Sequence, residues 1–212
     1  MNADQKHALQ AKREFMWKAF KALQFNRVPG AYAEFGCHGA MTFRLAFQQS
    51  RARGEGRPFW AFDSFEGLPP NGDPKDSHPR WQKGTLATSL DGFKKLCGQA
   101  GMQPDRDYHC VPGFFSETLT AEQNPQAIAF AYIDCDLYTS TMDVLRFLEP
   151  RLRPGMIIAF DDYFCWNTRT GRSGERQALH EIRGDWEQRG FLLDRFVQYG
   201  WSGQSFVVTK PA

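Results

Sequence analysis

Hydrophobic positions along this chain switch between helical spacing and short unbroken apolar runs. Residues 5–24 place Phe15, Met16, Phe20 and Leu23 on one stripe, which predicts an amphipathic helix. Ala31–Phe35 reads as a short strand, followed by a glycine turn and a helix to about Ser50. Pro58–Asp63 predicts a second strand, Ser89 to about Ala100 a helix, and Tyr108–Val111 a third strand. Two further apolar runs, around Ala129–Ile133 and Met156–Phe160, are joined by a helix around Ser140–Leu152. Glu175–Arg189 predicts the last helix, and Leu192–Gln198 with Ser205–Thr209 a closing strand pair. This alternation implies an α/β fold: a mostly parallel central sheet, helices on both faces and an antiparallel hairpin at the edge. A single domain over residues 1–212 is expected, with 1–28 as an N-terminal helical region that packs on its own domain or on a second subunit of a homo-oligomer.

Composition narrows the classes. The chain has 212 residues, 42% hydrophobic and 15% aromatic, enough to bury a substantial core. A net charge of +2 with scattered Lys and Arg offers no footprint for nucleic acid. No run is long enough to span a membrane, and residues 1–7 lack the apolar core of a signal peptide. Cys37, Cys97, Cys110, Cys135 and Cys165 show no CxxC spacing, so reduced thiols and a cytoplasmic location are expected.

The candidate chemistry sits where strands end. The fourth and fifth predicted strands finish at Asp134 and at Asp161-Asp162, side by side at one sheet edge. Open α/β sheets bind ligands beyond the carboxyl ends of their strands. Three carboxylates gathered there repel unless protonated, dispersed or neutralised, so a hard divalent cation is the expected partner. Upstream, Glu34-Phe-Gly36-Cys37-His38-Gly39 joins a strand to a helix, where small residues let a ligand approach the backbone. His38 takes the second glycine's place in GxGxxG, which weighs against a nicotinamide dehydrogenase. Asp63 ends the next strand 29 residues after Glu34, a suitable acceptor for ribose hydroxyls. Together these features suggest a nucleoside-bearing cofactor.

Four segments, Phe62-Asp-Ser-Phe-Glu-Gly-Leu-Pro69, Val111-Pro-Gly-Phe-Phe-Ser-Glu-Thr-Leu119, Asp134-Cys-Asp-Leu-Tyr-Thr-Ser-Thr141 and Pro154-Gly with Phe160-Asp-Asp-Tyr163, together resemble the macrocin O-methyltransferase family. The resemblance runs from about residue 30 to 163. It implies a Rossmann-like class I methyltransferase fold, S-adenosylmethionine as cofactor, Mg²⁺ assistance and a sugar or glycosylated metabolite as acceptor. By the same resemblance Glu34, Gly36, Cys37, His38 and Gly39 shape the cofactor turn, and Asp63 holds the ribose. Ser64, Phe65 and Phe115 border the cofactor, Asp134 touches it, and Asp134, Asp161 and Asp162 ligate the metal.

Methyl transfer to a hydroxyl needs an oriented oxygen and a base to take its proton. Asp134 and His38 are the leading catalytic candidates, with His78, His109, His180 and Lys83 also in reach of the assignment. Asp136 is expected to cap the following helix. Residues 71–84, with Trp81 and Lys83, and residues 164–176, with Trp166, Asn167, Arg169, Arg172 and Arg176, are expected to cover the acceptor. Two alternatives stay open: a catechol-type or other phenolic O-methyltransferase, and a cofactor-binding protein without catalysis.

Overall fold

Strands of four to six almost wholly buried residues build the centre of the sheet: Ala31–Phe35 (β1), Ile128–Ile133 (β4) and Ile157–Phe160 (β5). Such runs need cover on both faces, which crossover helices supply. The computed structural model describes residues 2–54, 56–70, 72–120, 122–165 and 174–211. Phe59–Asp63 (β2) and Tyr108–Pro112 (β3) continue the sheet on one side, and Leu192–Tyr199 (β6) and Gly203–Thr209 (β7) on the other. The strand order is β3-β2-β1-β4-β5-β7-β6, parallel through β5 and antiparallel at β7 and β6. The hairpin therefore closes the edge as the sequence pattern requires.

One face carries the helices Ala3–Phe25 (α1), Met41–Arg51 (α2) and Leu90–Gln99 (α3), packed on the sheet through Phe15, Phe20, Phe43 and Phe93. The other carries the short helix Phe115–Thr118 (α4) with Tyr138–Leu148 (α5) and Gly174–Gln188 (α6). The N-terminal helix packs on its own sheet. Phe15 stacks on Tyr199 with ring centroids 4.0 Å apart, and Phe20 meets Phe130 at 5.6 Å. Each such buried side chain contributes roughly 1.5–3 kcal/mol relative to exposure.

Details differ from the sequence pattern in understandable ways. The fifth helix starts at Tyr138, two residues early, and ends at Leu148 because Pro150 tightens the chain into a 3-10 turn at Glu149–Arg151. Asp136 does not cap it: the helix cap is Leu137 without a side-chain bond, and Asp136 itself has φ +60°. The cap comes from another segment, as Asp76 accepts the Thr139 amide at 3.0 Å and its hydroxyl at 2.8 Å.

Candidate active site

β1 and β4 run in parallel register, with Phe35 beside Ile133, so Gly36 and Asp134 leave the sheet together. The approach is very close. A Cβ on Gly36 would lie 2.0 Å from the Asp134 carbonyl oxygen, and Gly36 has φ +85°. Just beyond, the Asp63 carboxylate holds the turn: it accepts the amides of Cys37 at 2.6 Å, His38 at 3.1 Å and Phe65 at 2.7 Å. Three donors on about four lone-pair sites leave one site for a ligand hydroxyl.

A cavity of about 560 Å³ opens at this sheet edge. Its wall includes Gly36, His38, Asp63, Ser64, Phe115 and Asp134 from the residues expected to meet the cofactor. Glu34, Cys37, Gly39 and Phe65 are not among the described lining residues. Glu34 is buried and accepts the Tyr32 hydroxyl. Cys37 is buried below the turn, and Phe65 packs on Phe93 at 5.4 Å. Ser64 both faces the cavity and shapes its rim, donating to the Gly67 carbonyl at 2.8 Å. His38 is exposed, with its Nδ1 3.1 Å from the Thr88 hydroxyl.

The acidic residues divide between the two faces of the sheet. On the α1 side, Asp161 accepts the Tyr132 hydroxyl at 2.5 Å and the Lys12 ammonium at 2.6 Å, one on each carboxylate oxygen. On the α5/α6 side, Asp162 accepts the Cys165 thiol at 3.1 Å and shares a hydrogen bond with Asp136. Asp134 lies between and lines the cavity. Burial, then Asp161, push the Asp134 carboxyl well above the usual range, against the pull of Lys12. Burial, then Asp162, do the same to Asp136.

Magnesium held by Asp134, Asp161 and Asp162 was the expectation for this edge, and the donor set does not fit it. Both Asp161 oxygens are engaged, its partners lie on the opposite face from those of Asp162, and no three His, Cys, Asp or Glu side chains converge as a ligand set among the described residues. Adjacent residues leaving a strand point to opposite faces, which is why the Asp161-Asp162 pair separates.

Sequence reasoning missed two residues. Glu175, fully buried, accepts the amides of Cys135 at 3.3 Å and Asp162 at 2.8 Å, joining the ends of β4 and β5. Its carboxyl is pushed well up by burial and then by Asp162. Lys12 had a visible signal, because it continues the apolar stripe of α1 at the spacing 12-15-16-19.

The acceptor segments are partly described. Lys75 bonds Tyr138 at 3.1 Å and Glu181 at 2.8 Å, so this loop is tied to α5 and α6. Trp81 is buried with its ring 4.0 Å from that of His78, rather than presenting an open face. Arg176 lies over Tyr163 at 5.8 Å. Trp166, Asn167, Arg169 and Arg172 fall outside the described residues. His109 packs on Trp60 at 4.6 Å, His180 is exposed, and neither lines the cavity.

The sheet order and a ligand-sized cavity at its carboxyl edge define a Rossmann-like fold of the class I methyltransferase type. A family model described as macrocin O-methyltransferase (TylF) matches residues 10–188, and the chain belongs to that family of O-methyltransferases. One relative, the 8-demethyl-8-(2,3-dimethoxy-alpha-L-rhamnosyl)-tetracenomycin-C 4'-O-methyltransferase of Streptomyces olivaceus, is 34% identical over 74% of this chain and 59% of its own length. Another, the mycinamicin III 3''-O-methyltransferase of Micromonospora griseorubida, is 32% identical over 69% of this chain and 56% of its own. The chain thus spans a little more than half the length of these relatives. Among solved structures, the O-methyltransferase NovP superposes with a TM-score of 0.78 at 24% identity, covering 93% of this chain and 79% of that one. A calicheamicin methyltransferase gives 0.71 at 23% identity, covering 92% and 77%. At these identities the structural likeness is one of fold. No described helix is long and apolar enough to cross a membrane.

Proposed function

We propose that this chain is an S-adenosylmethionine-dependent O-methyltransferase acting on a hydroxyl of a sugar or sugar-containing small molecule. The observation that carries the reading is the cavity between the Gly36 turn, Asp63 and Asp134, set at the carboxyl ends of adjacent parallel strands. Family membership and relatives named for the methylation of glycosylated natural products support it.

When bound, S-adenosylmethionine supplies an electrophilic methyl group. The chain's part is to hold, orient and deprotonate. Gly36 lets the end of β1 lie against the Asp134 backbone, and both Gly36 and Gly113 line the cavity. Asp63 fixes the turn and offers its remaining lone pair to a ribose hydroxyl. Ser64, His38 and Phe115 border the same space. Asp134 is the proposed base: its raised proton affinity suits a carboxylate that takes a proton from an acceptor hydroxyl near neutral pH. Magnesium assistance, the finer part of the sequence expectation, has no donor set ready to carry it among the described residues, and no step here uses it. A cytoplasmic setting is part of the proposal, in keeping with five unpaired cysteines.

Calorimetric titration of S-adenosylhomocysteine into wild type and Asp63→Ala tests the reading, followed by an acceptor screen across nucleotide sugars, glycosylated metabolites and catechols. Binding by the wild type and turnover of a sugar hydroxyl are expected. Absence of binding sinks the cofactor assignment, and turnover confined to catechols overturns the acceptor class.

A further inference from the structure

The sheet-facing stripe of α1 ends in a lysine. Phe15, Met16, Ala19, Phe20 and Leu23 are buried, and Lys12 stands one turn before Phe15 on the same side. Its register carries the side chain over the end of β5. The ammonium lies 2.6 Å from Asp161 Oδ2, with only 16% of the Lys12 side chain and 12% of the Asp161 side chain exposed. The other Asp161 oxygen is taken by Tyr132. Asp134, Asp162 and Glu34 also feel the Lys12 charge.

Neither partner is tolerable there alone. A shielded ammonium without an anion loses its proton, and clustered carboxylates without a cation repel one another or draw one in. A divalent ion at the same edge needs several oxygen ligands, and the oxygen it would need from Asp161 already receives the ammonium.

We propose that the Lys12 ammonium is the resident cation of the acidic sheet edge, in the charge-neutralising place of a divalent metal ion, and that the chain binds its cofactor without one. The proposal rests on the methyltransferase reading of the cavity. Lys12 is then a positioning residue: its ammonium fixes the Asp161 carboxylate at the end of β5.

Manganese uptake followed by electron paramagnetic resonance tests this directly, using Mn²⁺ alone as the probe for a hard divalent site. The wild type is expected to take up less than about one-tenth of an equivalent at micromolar Mn²⁺. Lys12→Met removes the charge and keeps the apolar stem, and is expected to gain a Mn²⁺ site at least about tenfold tighter than any in the wild type. Asp161→Asn placed in that variant removes the gain, and Lys12→Arg behaves as wild type. A stoichiometric, Mg²⁺-displaceable Mn²⁺ site in the wild type overturns the proposal, as does a folded Lys12→Met that gains none. Should Lys12→Met unfold, the wild-type measurement still decides. S-adenosylhomocysteine affinity, measured in parallel with EDTA and with Mg²⁺, is expected to agree within about twofold, and a metal-dependent affinity also overturns the proposal. Failure to bind S-adenosylhomocysteine under either condition counts against the methyltransferase reading, while the Mn²⁺ result judges Lys12 independently.

Discussion

Replacing Gly36 by alanine puts a methyl group where two strands leave the sheet together. The added Cβ would sit 2.0 Å from the Asp134 carbonyl oxygen, whereas ordinary contact begins at 3.4 Å, so the strand ends must part by about 1.4 Å. That movement strains the bond from the Asp134 amide to the Phe35 carbonyl, now 2.8 Å. Overpacking of this kind costs about 1–3 kcal/mol, a non-glycine residue at φ +85° about 1–2, and the weakened hydrogen bond up to about 1. A total near 3–5 kcal/mol is a large share of the ~5–15 kcal/mol that holds a domain together. For a chain of 212 residues it corresponds to a fall in Tm of roughly 6–20 °C. Calorimetric unfolding measures this, and S-adenosylhomocysteine titration reads the displacement of Asp134. Gly39→Ala is the control: nothing lies within 4 Å of its Cβ, so a change within about 0.5 kcal/mol is expected. The reasoning is refuted if Gly36→Ala unfolds within about 2 °C of wild type and binds the cofactor product equally well.

Asp63→Ala leaves three backbone amides without their acceptor and is expected to cost about 2–4 kcal/mol, with S-adenosylhomocysteine affinity down at least about tenfold. Unchanged affinity would show that the turn holds its shape without the carboxylate. Asp76→Ala removes the side-chain cap at the start of α5 and is expected to cost about 1 kcal/mol. Hydrogen exchange should quicken at Thr139 and across residues 72–84, and equal exchange in both proteins contradicts the latch. Burial raises the proton affinity of the Asp136 and Glu175 carboxyls above that in the unfolded chain. Folded-state affinity is the higher one, so this contribution is complete at low pH and is lost as pH rises through the raised values. The urea midpoint is therefore expected to fall as pH rises above the ordinary carboxylate range and to fall less in Glu175→Gln, and the opposite slope refutes the assignment.

How much of this could be read beforehand depends on how local the cause is. The mostly parallel sheet with an antiparallel edge pair followed from alternating periods because parallel strands need crossovers and buried strands need unbroken apolar runs, as in Ile128–Ile133. The place of Gly36, Asp63 and Asp134 on the cavity wall was legible because each stands at a strand end. The role of Asp136 was not: a helix cap is a local rule, and here Asp76, distant in sequence, supplies it. Whether three aspartates converge depends on side-chain directions and on what packs over them. The consecutive pair Asp161-Asp162 reads as one cluster, while the fold sends the two side chains to different partners. Lys12 was visible as a charged residue on an apolar stripe, but only the docked helix shows which anion it meets.

Glu175 has a meaning beyond the strand ends it joins. The chain leaves this edge at Cys165 and returns at Gly174, where a side chain would collide with the Asp136 carbonyl at 2.2 Å. The next residue then bonds back to Asp162, so departure and return are pinned to the same carboxylate-bearing turn. Glu175 thus couples the seating of α6 to the positions of the two strand ends at the cavity edge.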